Sequence, residues 1–132
     1  MATENRVIDL SFAAGEDLTL DQYRIVVLDA TTGKVRRPDA ATDIPLGVLQ
    51  NAPAAGEAAV VRPIGCGGVS KVQASSALAI GLIAAMEYVD AYDAGKAKAA
   101  ATTQYPVGVI IGAAAAEDDL AEMLLTPLTV KA

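Results

Sequence analysis

Short apolar segments rich in Val, Ile and Leu alternate along this chain with Gly, Pro and Asp. In RVIDLSF, residues 6–12, the side chains of Ile8, Leu10 and Phe12 fall on one face of an extended segment, and this period of two predicts a β-strand. Gly33, in ATTGKV, supplies the positive φ of a tight turn and predicts a β-hairpin. The pattern predicts ten strands in all, at residues 6–12, 23–29, 34–37, 46–51, 57–64, 66–73, 82–90, 96–100, 107–112 and 120–130.

Two segments do not follow the strand pattern clearly. ASSALAIGLIAAM, residues 74–86, is rich in Ala and Leu, which predicts a short helix around Ser75 to Ala79 that ends at Gly81. AAAAEDDLAEMLL, residues 113–125, fits either an amphipathic helix or a loop followed by a strand. We interpret it as a loop and a strand because a similar stretch elsewhere in the chain has that pattern.

That similar stretch belongs to an internal repeat. IPLGVLQNAPAAGE at 44–57 and YPVGVIIGAAAAED at 105–118 share Pro, Gly, Val and three Ala at the same offsets. A Gly-Lys pair precedes each stretch, at 33–34 and 95–96. Each copy is predicted to form a hairpin and a strand–turn–strand unit that cannot bury its apolar face alone, so the two copies pack about an approximate internal twofold.

The predicted fold class is therefore all-β, a small barrel-like or sandwich domain with an internal two-fold repeat and at most one or two short helices. Residues 13–132 form the single domain, with repeat copies at about 18–63 and 78–127. Residues 1–12 precede it either as an N-terminal arm or as a further strand.

Composition adds that the core is thin. Hydrophobic residues make up 53% of the 132 residues, but 28 of them are Ala and only five side chains are aromatic. Small side chains bury little area each, so partner chains are expected to contribute to stability.

Charge argues against nucleic acid as a partner. The formal net charge is -6, and the only local basic cluster is Lys34, Arg36 and Arg37, which is interpreted as the solvated face of a strand.

The sequence shows no signal peptide and no apolar stretch of about 20 residues, so we expect a soluble protein without a membrane partner. A single cysteine, Cys66, fits synthesis in a reducing compartment.

The sequence likewise lacks the residue patterns of common catalytic sites. The chain has no His, which removes the common nucleophilic triads and the commonest transition-metal ligand. Cys66 is interpreted as a small apolar side chain, and the Glu-Asp-Asp run at 117–119 as a solvated acidic turn rather than a cation site. A hydrolase that uses Glu57 or Asp118 is the remaining enzymatic alternative. We expect no enzyme activity, no cofactor and no metal.

The order of these motifs resembles the bacteriophage capsid cement, or head decoration, proteins. The resemblance covers residues 6–128 and rests on LDATTGKV, IPLGV with AAGEAAVV, the segment from VSKV to DAYDAGKA, and the closing PVGVIIGAAAAEDD with LTP. LDQY at 20–23 departs from the family pattern, in which a Gly-Asp turn is expected before the strand.

The resemblance implies a small β protein on the outer surface of the expanded phage head, where it clamps neighbouring major capsid proteins, often as a homotrimer. The N-terminal segment is predicted to order on the capsid by strand addition, with Ile8, Leu10 and Phe12 as the apolar contacts. The predicted capsid-binding residues are Arg6, Val7, Ile8, Asp9, Leu10, Ser11 and Phe12. An ordinary strand of the same domain is the alternative for this segment. For the whole chain, the alternatives are another virion component, such as a tail or fibre accessory domain, and a nucleic-acid-binding phage protein.

Overall fold

The computed structural model describes residues 8–66, 68–90, 92–101 and 103–126. These residues form ten β-strands: β1 (Leu10–Ala13), β2 (Ile25–Leu28), β3 (Val35–Arg36), β4 (Pro45–Leu49), β5 (Ala58–Pro63), β6 (Val69–Gln73), β7 (Ile83–Met86), β8 (Ala97–Ala99), β9 (Pro106–Gly112) and β10 (Leu120–Leu125). Within those ranges there is no helix, and hence none that is long and apolar enough to cross a membrane.

The strands form two antiparallel sheets that pack together like a sandwich. One sheet has the order β1-β5-β4-β2-β3 and the other β6-β10-β9-β7-β8. The second order is the first one repeated, so each half of the chain folds into one sheet. We call β1–β5 the first repeat and β6–β10 the second repeat. The predicted all-β, internally repeated fold class is confirmed, and the sheets of the described residues do not close into a barrel.

The repetition extends to individual strand registers. Val26 lies opposite Gly47 in the first repeat, and Ala84 lies opposite Gly108 in the second. The register slips immediately after each of these pairs. A Cβ at Gly47 would overlap the carbonyl oxygen of Arg62, and a Cβ at Gly108 that of Leu124. Both glycines are therefore required because neighbouring backbones approach closely.

Two hydrophobic cores follow from this arrangement. The core of the first repeat contains Val26, Leu49 and Val61, with Phe12 and Leu46 packed at its edge. The opposite face of the same sheet presents Ile25, Val27 and Val48, which are buried in the core of the second repeat. The full set of buried residues in that larger core is Ile25, Val27, Val48, Val72, Ala74, Leu78, Ala84, Met86, Ala97, Val107, Ile110, Ala114, Ala121, Met123 and Leu125.

The contact between the two repeats is asymmetric, because each repeat contributes a different surface to it. The backbone N–H of Gln73 donates to the carbonyl oxygen of Tyr23 at 2.9 Å, and the N–H of Ile25 donates to the carbonyl oxygen of Gly95 at 2.6 Å. A Cβ added at Gly95 would overlap the carbonyl oxygen of Ile25. A Cβ added at Gly33, the counterpart of Gly95 in the first repeat, would meet no atom within 4 Å. The first repeat therefore uses one surface and the second repeat a different one.

The helix predicted around Ser75 to Ala79 is wrong. The segment is irregular because both ends are fixed by residues distant in the sequence: the N–H of Ser75 donates to the carbonyl oxygen of Ala97 in β8 at 2.9 Å, and Leu78 forms an isolated bridge with Ala114. Burial of Leu78 against the core outweighs the helix propensity of the Ala-rich stretch. The loop and strand predicted for 113–125 are confirmed, with β10 beginning at Leu120.

Candidate functional site

The N-terminal segment that the sequence singles out has two different parts. Arg6 and Val7 lie outside the described residues. The side chain of Ile8 is 63% exposed, and the carboxylate of Asp9 accepts a hydrogen bond from Arg62 Nε at 2.9 Å. From Leu10 onward the segment is strand β1, paired with β5.

Within β1, the predicted contact residues are divided between the core and the surface. Phe12 packs against the core of the first repeat, so its side chain stabilises the domain itself. Leu10 is exposed, and Ser11 lies opposite Val60 in the register with β5. Ile8 and Leu10 are thus the apolar side chains of this segment that are open to a partner.

Strand β1 is also an edge of its sheet. Its counterpart β6 is the edge of the second sheet, and the first repeat covers that edge: Gln50 Nε2 donates to Ser70 Oγ at 2.8 Å, and Gln73 Nε2 donates to the carbonyl oxygen of Gln22 at 2.9 Å. In the described residues, β1 has no equivalent contacts. An uncovered edge is suited to accept another strand.

Arg62 connects the N-terminal segment to the second repeat. Besides its pairing with Asp9, its Nη1 donates to the carbonyl oxygen of Val69 at 2.7 Å. Beside it runs a polar groove of about 330 Å³ between the repeats, with Tyr23 and Lys71 among its lining residues. The ammonium of Lys71 lies 5.9 Å from the centroid of the Tyr23 ring. These contacts hold the two sheets together next to the β1 edge.

A second groove, of about 460 Å³, lies on the first repeat. We call it the apolar groove. Ile44 is 69% exposed at its edge, and Leu28 is also exposed. Its apolar lining residues are Val27, Leu28, Ala30, Ile44, Pro45 and Leu46, and Arg36, Thr42 and Asp43 complete the lining. Exposed aliphatic side chains around a concavity provide a surface for a protein partner.

The second repeat carries a further apolar surface. Ile83 lies opposite Val109, Val109 opposite Leu124, and Leu124 opposite Val69, so four aliphatic residues form one row across β7, β9, β10 and β6. The hydrogen bond from the Gly81 N–H to the carbonyl oxygen of Ile110 places Ile80 beside Ile111 at the end of this row. We use the name outer face for the surface formed by five of these residues: Ile80, Ile83, Val109, Ile111 and Leu124.

The basic cluster of the sequence is engaged in ion pairs. Arg36 donates to both carboxylate oxygens of Asp43, and its hydrogen bonds lower the pKa of Asp43 to about 2. Arg37 Nη1 contacts Asp21 at 2.8 Å. Lys34 remains exposed. Paired guanidinium groups are poorly placed for phosphate binding.

The acidic run at 117–119 serves a structural contact. Asp118 accepts hydrogen bonds from the buried ammonium of Lys96 and, at 2.6 Å, from the hydroxyl of Tyr92. These two bonds, that from Lys96 above all, lower the pKa of Asp118. Burial alone would lower the pKa of Lys96, but its hydrogen bonds to Asp118 and Asp93 outweigh burial and raise it.

The remaining candidates for chemistry have ordinary structural surroundings. The Sγ of Cys66 accepts a contact from the Gly68 N–H at 3.4 Å, and the side chain packs partly against the larger core. The carboxylate of Glu57 accepts a hydrogen bond from the N–H of Ala54 in its own turn, at 3.1 Å. No group of acidic and cysteine side chains suited to a metal ion occurs in the described part of the chain.

Sequence reasoning did not find the outer face. The sequence predicts only a strand for VGVIIG at 107–112, because a continuous apolar run does not show which side chains are exposed. A position-by-position comparison of the repeats carries the signal: Ile80 and Ile111 stand where the first repeat has Gln22 and Gln50.

Comparisons with known proteins identify the fold. No protein-family model matches the chain, and no curated protein matches it. Among solved structures, the head fiber gp8.5 N base of bacteriophage phi29 is similar, with a TM-score of 0.67 and 16% sequence identity over 96% of this chain and 100% of that chain. The chain thus shares its fold with the base of a phage head fiber.

Proposed function

We propose that this protein is a decoration, or cement, protein that binds the outer surface of an expanded phage head and stabilises contacts between major capsid proteins. The observation that carries the proposal is the fold shared over nearly the whole chain with a phage head fiber base. The proposed role involves no reaction and no cofactor. It places the protein in the virion, with the major capsid protein and further copies of itself, as a homotrimer, as partners.

The surfaces of the molecule support this role. Ile8 is 63% exposed just ahead of the edge strand β1, where it can contact a capsid loop. Arg62 holds the start of this segment through Asp9, so the segment is positioned before it binds. Three such contacts in one trimer would bind far more tightly than one, because the later contacts form at high effective concentration.

A second candidate role is the anchoring base of a longer head fiber. The solved structure with the same fold is described as such a base, which favours this alternative over a tail component. In that role the chain would contact the head in the same way and carry an additional partner. Nucleic acid remains a disfavoured partner because Arg36 and Arg37 are neutralised by acidic neighbours.

Virion fractionation tests where the protein acts. Purified virions of the phage that encodes this chain are labelled with gold-coupled antibody and separated into heads and tails. We expect labelling over the whole head surface and recovery of the protein with heads. Recovery with tails would contradict both head roles, whereas labelling only at the roots of head fibers would select the second candidate.

A further inference from the structure

The contact between the two repeats has two distinct sides. The first repeat contributes Ile25 and Val48, both fully buried, flanked by Gln22 and Gln50. The second repeat contributes the edge of β6, the turn at Gly95, and the site around Met86 and Tyr105 against which Ala41 packs. Since the repeats have the same strand order, each side has a counterpart elsewhere on the molecule.

The counterpart of the first side is the outer face. Ile83 and Val109 occupy the positions of Ile25 and Val48, and Leu124 that of Arg62. Ile25 and Val48 are fully buried, but Ile83 and Val109 are only partly buried. The flanking positions are apolar as well, and Ile80 is 70% exposed. The two flanking positions are therefore polar in the first repeat and apolar in the second, and monomeric proteins rarely expose a contiguous apolar surface of this kind.

The counterpart of the second side is the β1 edge together with the apolar groove. Leu28 and Ile44 of the groove occupy the positions of Met86 and Tyr105. In the second repeat this site is nearly closed, with a free volume of about 10 Å³ lined by Ala41, Tyr88 and Tyr105 among others. In the first repeat the same site is open, with about 460 Å³.

We propose that the outer face of one copy docks on the β1 edge and apolar groove of a second copy, so that the contact between repeats inside the chain recurs between chains. The partner is a second copy because the two open surfaces are the counterparts of two surfaces that already fit each other. Such a head-to-tail contact uses a different patch on each partner and closes into a ring when the rotation permits. It deepens the trimer of the proposed function by naming its interface, and it does not depend on capsid binding.

Cysteine pairing tests the orientation of this contact. Inside the chain, Gln50 Nε2 lies 2.8 Å from Ser70 Oγ. The counterparts of these residues are Ile111 and Leu10, which should therefore meet between copies. In a Cys66→Ala background, the purified Ile111→Cys/Leu10→Cys protein is expected to form intermolecular cross-links with a short bismaleimide, whose spacer replaces the length of the Gln50 side chain, with closed covalent trimers as the end product. Ile111→Cys and Leu10→Cys alone are matched controls and should give no cross-link.

Cross-linked dimers of either single variant would overturn the head-to-tail orientation, and absence of any bismaleimide cross-link in the double variant would overturn the contact itself. Native mass spectrometry of the full chain, without capsids, supplies a second measurement. Ile111→Glu and Ile44→Glu should each abolish the oligomer, whereas Leu20→Glu, at a site 82% exposed and outside both surfaces, should preserve it. A wild-type protein that stays monomeric would contradict the proposal whether or not the protein binds heads.

Discussion

Lys96 and Lys34 occupy equivalent positions in the two repeats, yet the side chain of Lys96 is fully buried and that of Lys34 is exposed. The Lys96 ammonium lies 3.8 Å from the centroid of the Tyr92 ring and 2.8 Å from an oxygen of Asp93. The preceding residue, Gly95, packs against Ile25 of the first repeat, so this turn lies at the contact between the sheets. The same Gly-Lys pair therefore contributes to the contact between the sheets in one repeat only.

We expect Lys96→Met to lower the free energy of unfolding by about 2 kcal/mol, because hydrogen bonds to charged groups contribute roughly 1.5–3 kcal/mol each and the freed carboxylates are partly solvated. Lys34→Met is the matched control and should change stability little. Urea unfolding at neutral pH measures both. Equal losses in the two variants would contradict the assigned role of Lys96.

The ion pair of Arg36 and Asp43 predicts a loss of stability in acid. The pKa of Asp43 is lowered to about 2 in the folded protein, below the value of about 3.9 for an unfolded Asp. The folded state then binds fewer protons, so the pair stabilises the protein above about pH 4 and this contribution disappears as the pH falls toward 2. Asp43→Asn should be less stable at pH 7 and show a flatter decline between pH 4 and 2 in urea unfolding. A decline parallel to that of the wild type would show that Asp43 does not contribute to it.

Replacing Gly47 or Gly108 by Ala should destabilise the protein more than replacing Gly33. Gly108→Ala and Gly47→Ala force a methyl group into the backbone of the neighbouring strand, which should cost about 3 kcal/mol. Gly33→Ala meets open space and bears only the cost of a positive φ, about 1–2 kcal/mol. Thermal unfolding of the three variants gives the order. A smaller loss at Gly47 or Gly108 than at Gly33 would mean that the strands separate easily there.

Ile8→Glu should weaken head binding at least tenfold, since burial of an Ile side chain contributes roughly 1.5–3 kcal/mol and about 1.4 kcal/mol corresponds to tenfold. The exposed position of Ile8 leaves the domain's unfolding unchanged. Leu20→Glu serves as the control for an added charge. Binding curves to capsids that match the wild type would move the contact away from the N-terminal segment. Truncation of residues 1–12 is a poorer test because it also removes most of β1 and the packing of Phe12.

The sequence predicted the strands well because their ends are marked by Gly and Pro. Gly33 adopts a φ of 70° in the hairpin between β2 and β3, as expected. The departure noted at 20–23 also has a structural meaning: Tyr23 has a φ of 65° at the position where the second repeat has Gly81. A left-handed backbone at a Tyr cannot be deduced from local preference, since tertiary contacts impose it.

What the sequence did not reveal is the arrangement of one repeat against the other. The buried charge of Lys96, the irregular segment around Leu78 and the exposure of Ile80 all depend on which surface the partner repeat covers. Hydrophobic periodicity predicts which face of a single strand is apolar, but it does not predict which sheet packs against that face. Comparison of the repeats could have flagged the irregular segment, because the sequence predicts no helix around Leu18, the counterpart of Leu78.

Co-sedimentation with capsids tests the proposed function most directly. The purified chain is mixed with expanded heads that lack the protein and, separately, with unexpanded proheads, and the pelleted protein is quantified as its concentration increases. We expect saturable binding to expanded heads alone, at a copy number that is a multiple of three. A folded protein that pellets with neither particle, or equally with both, would contradict it.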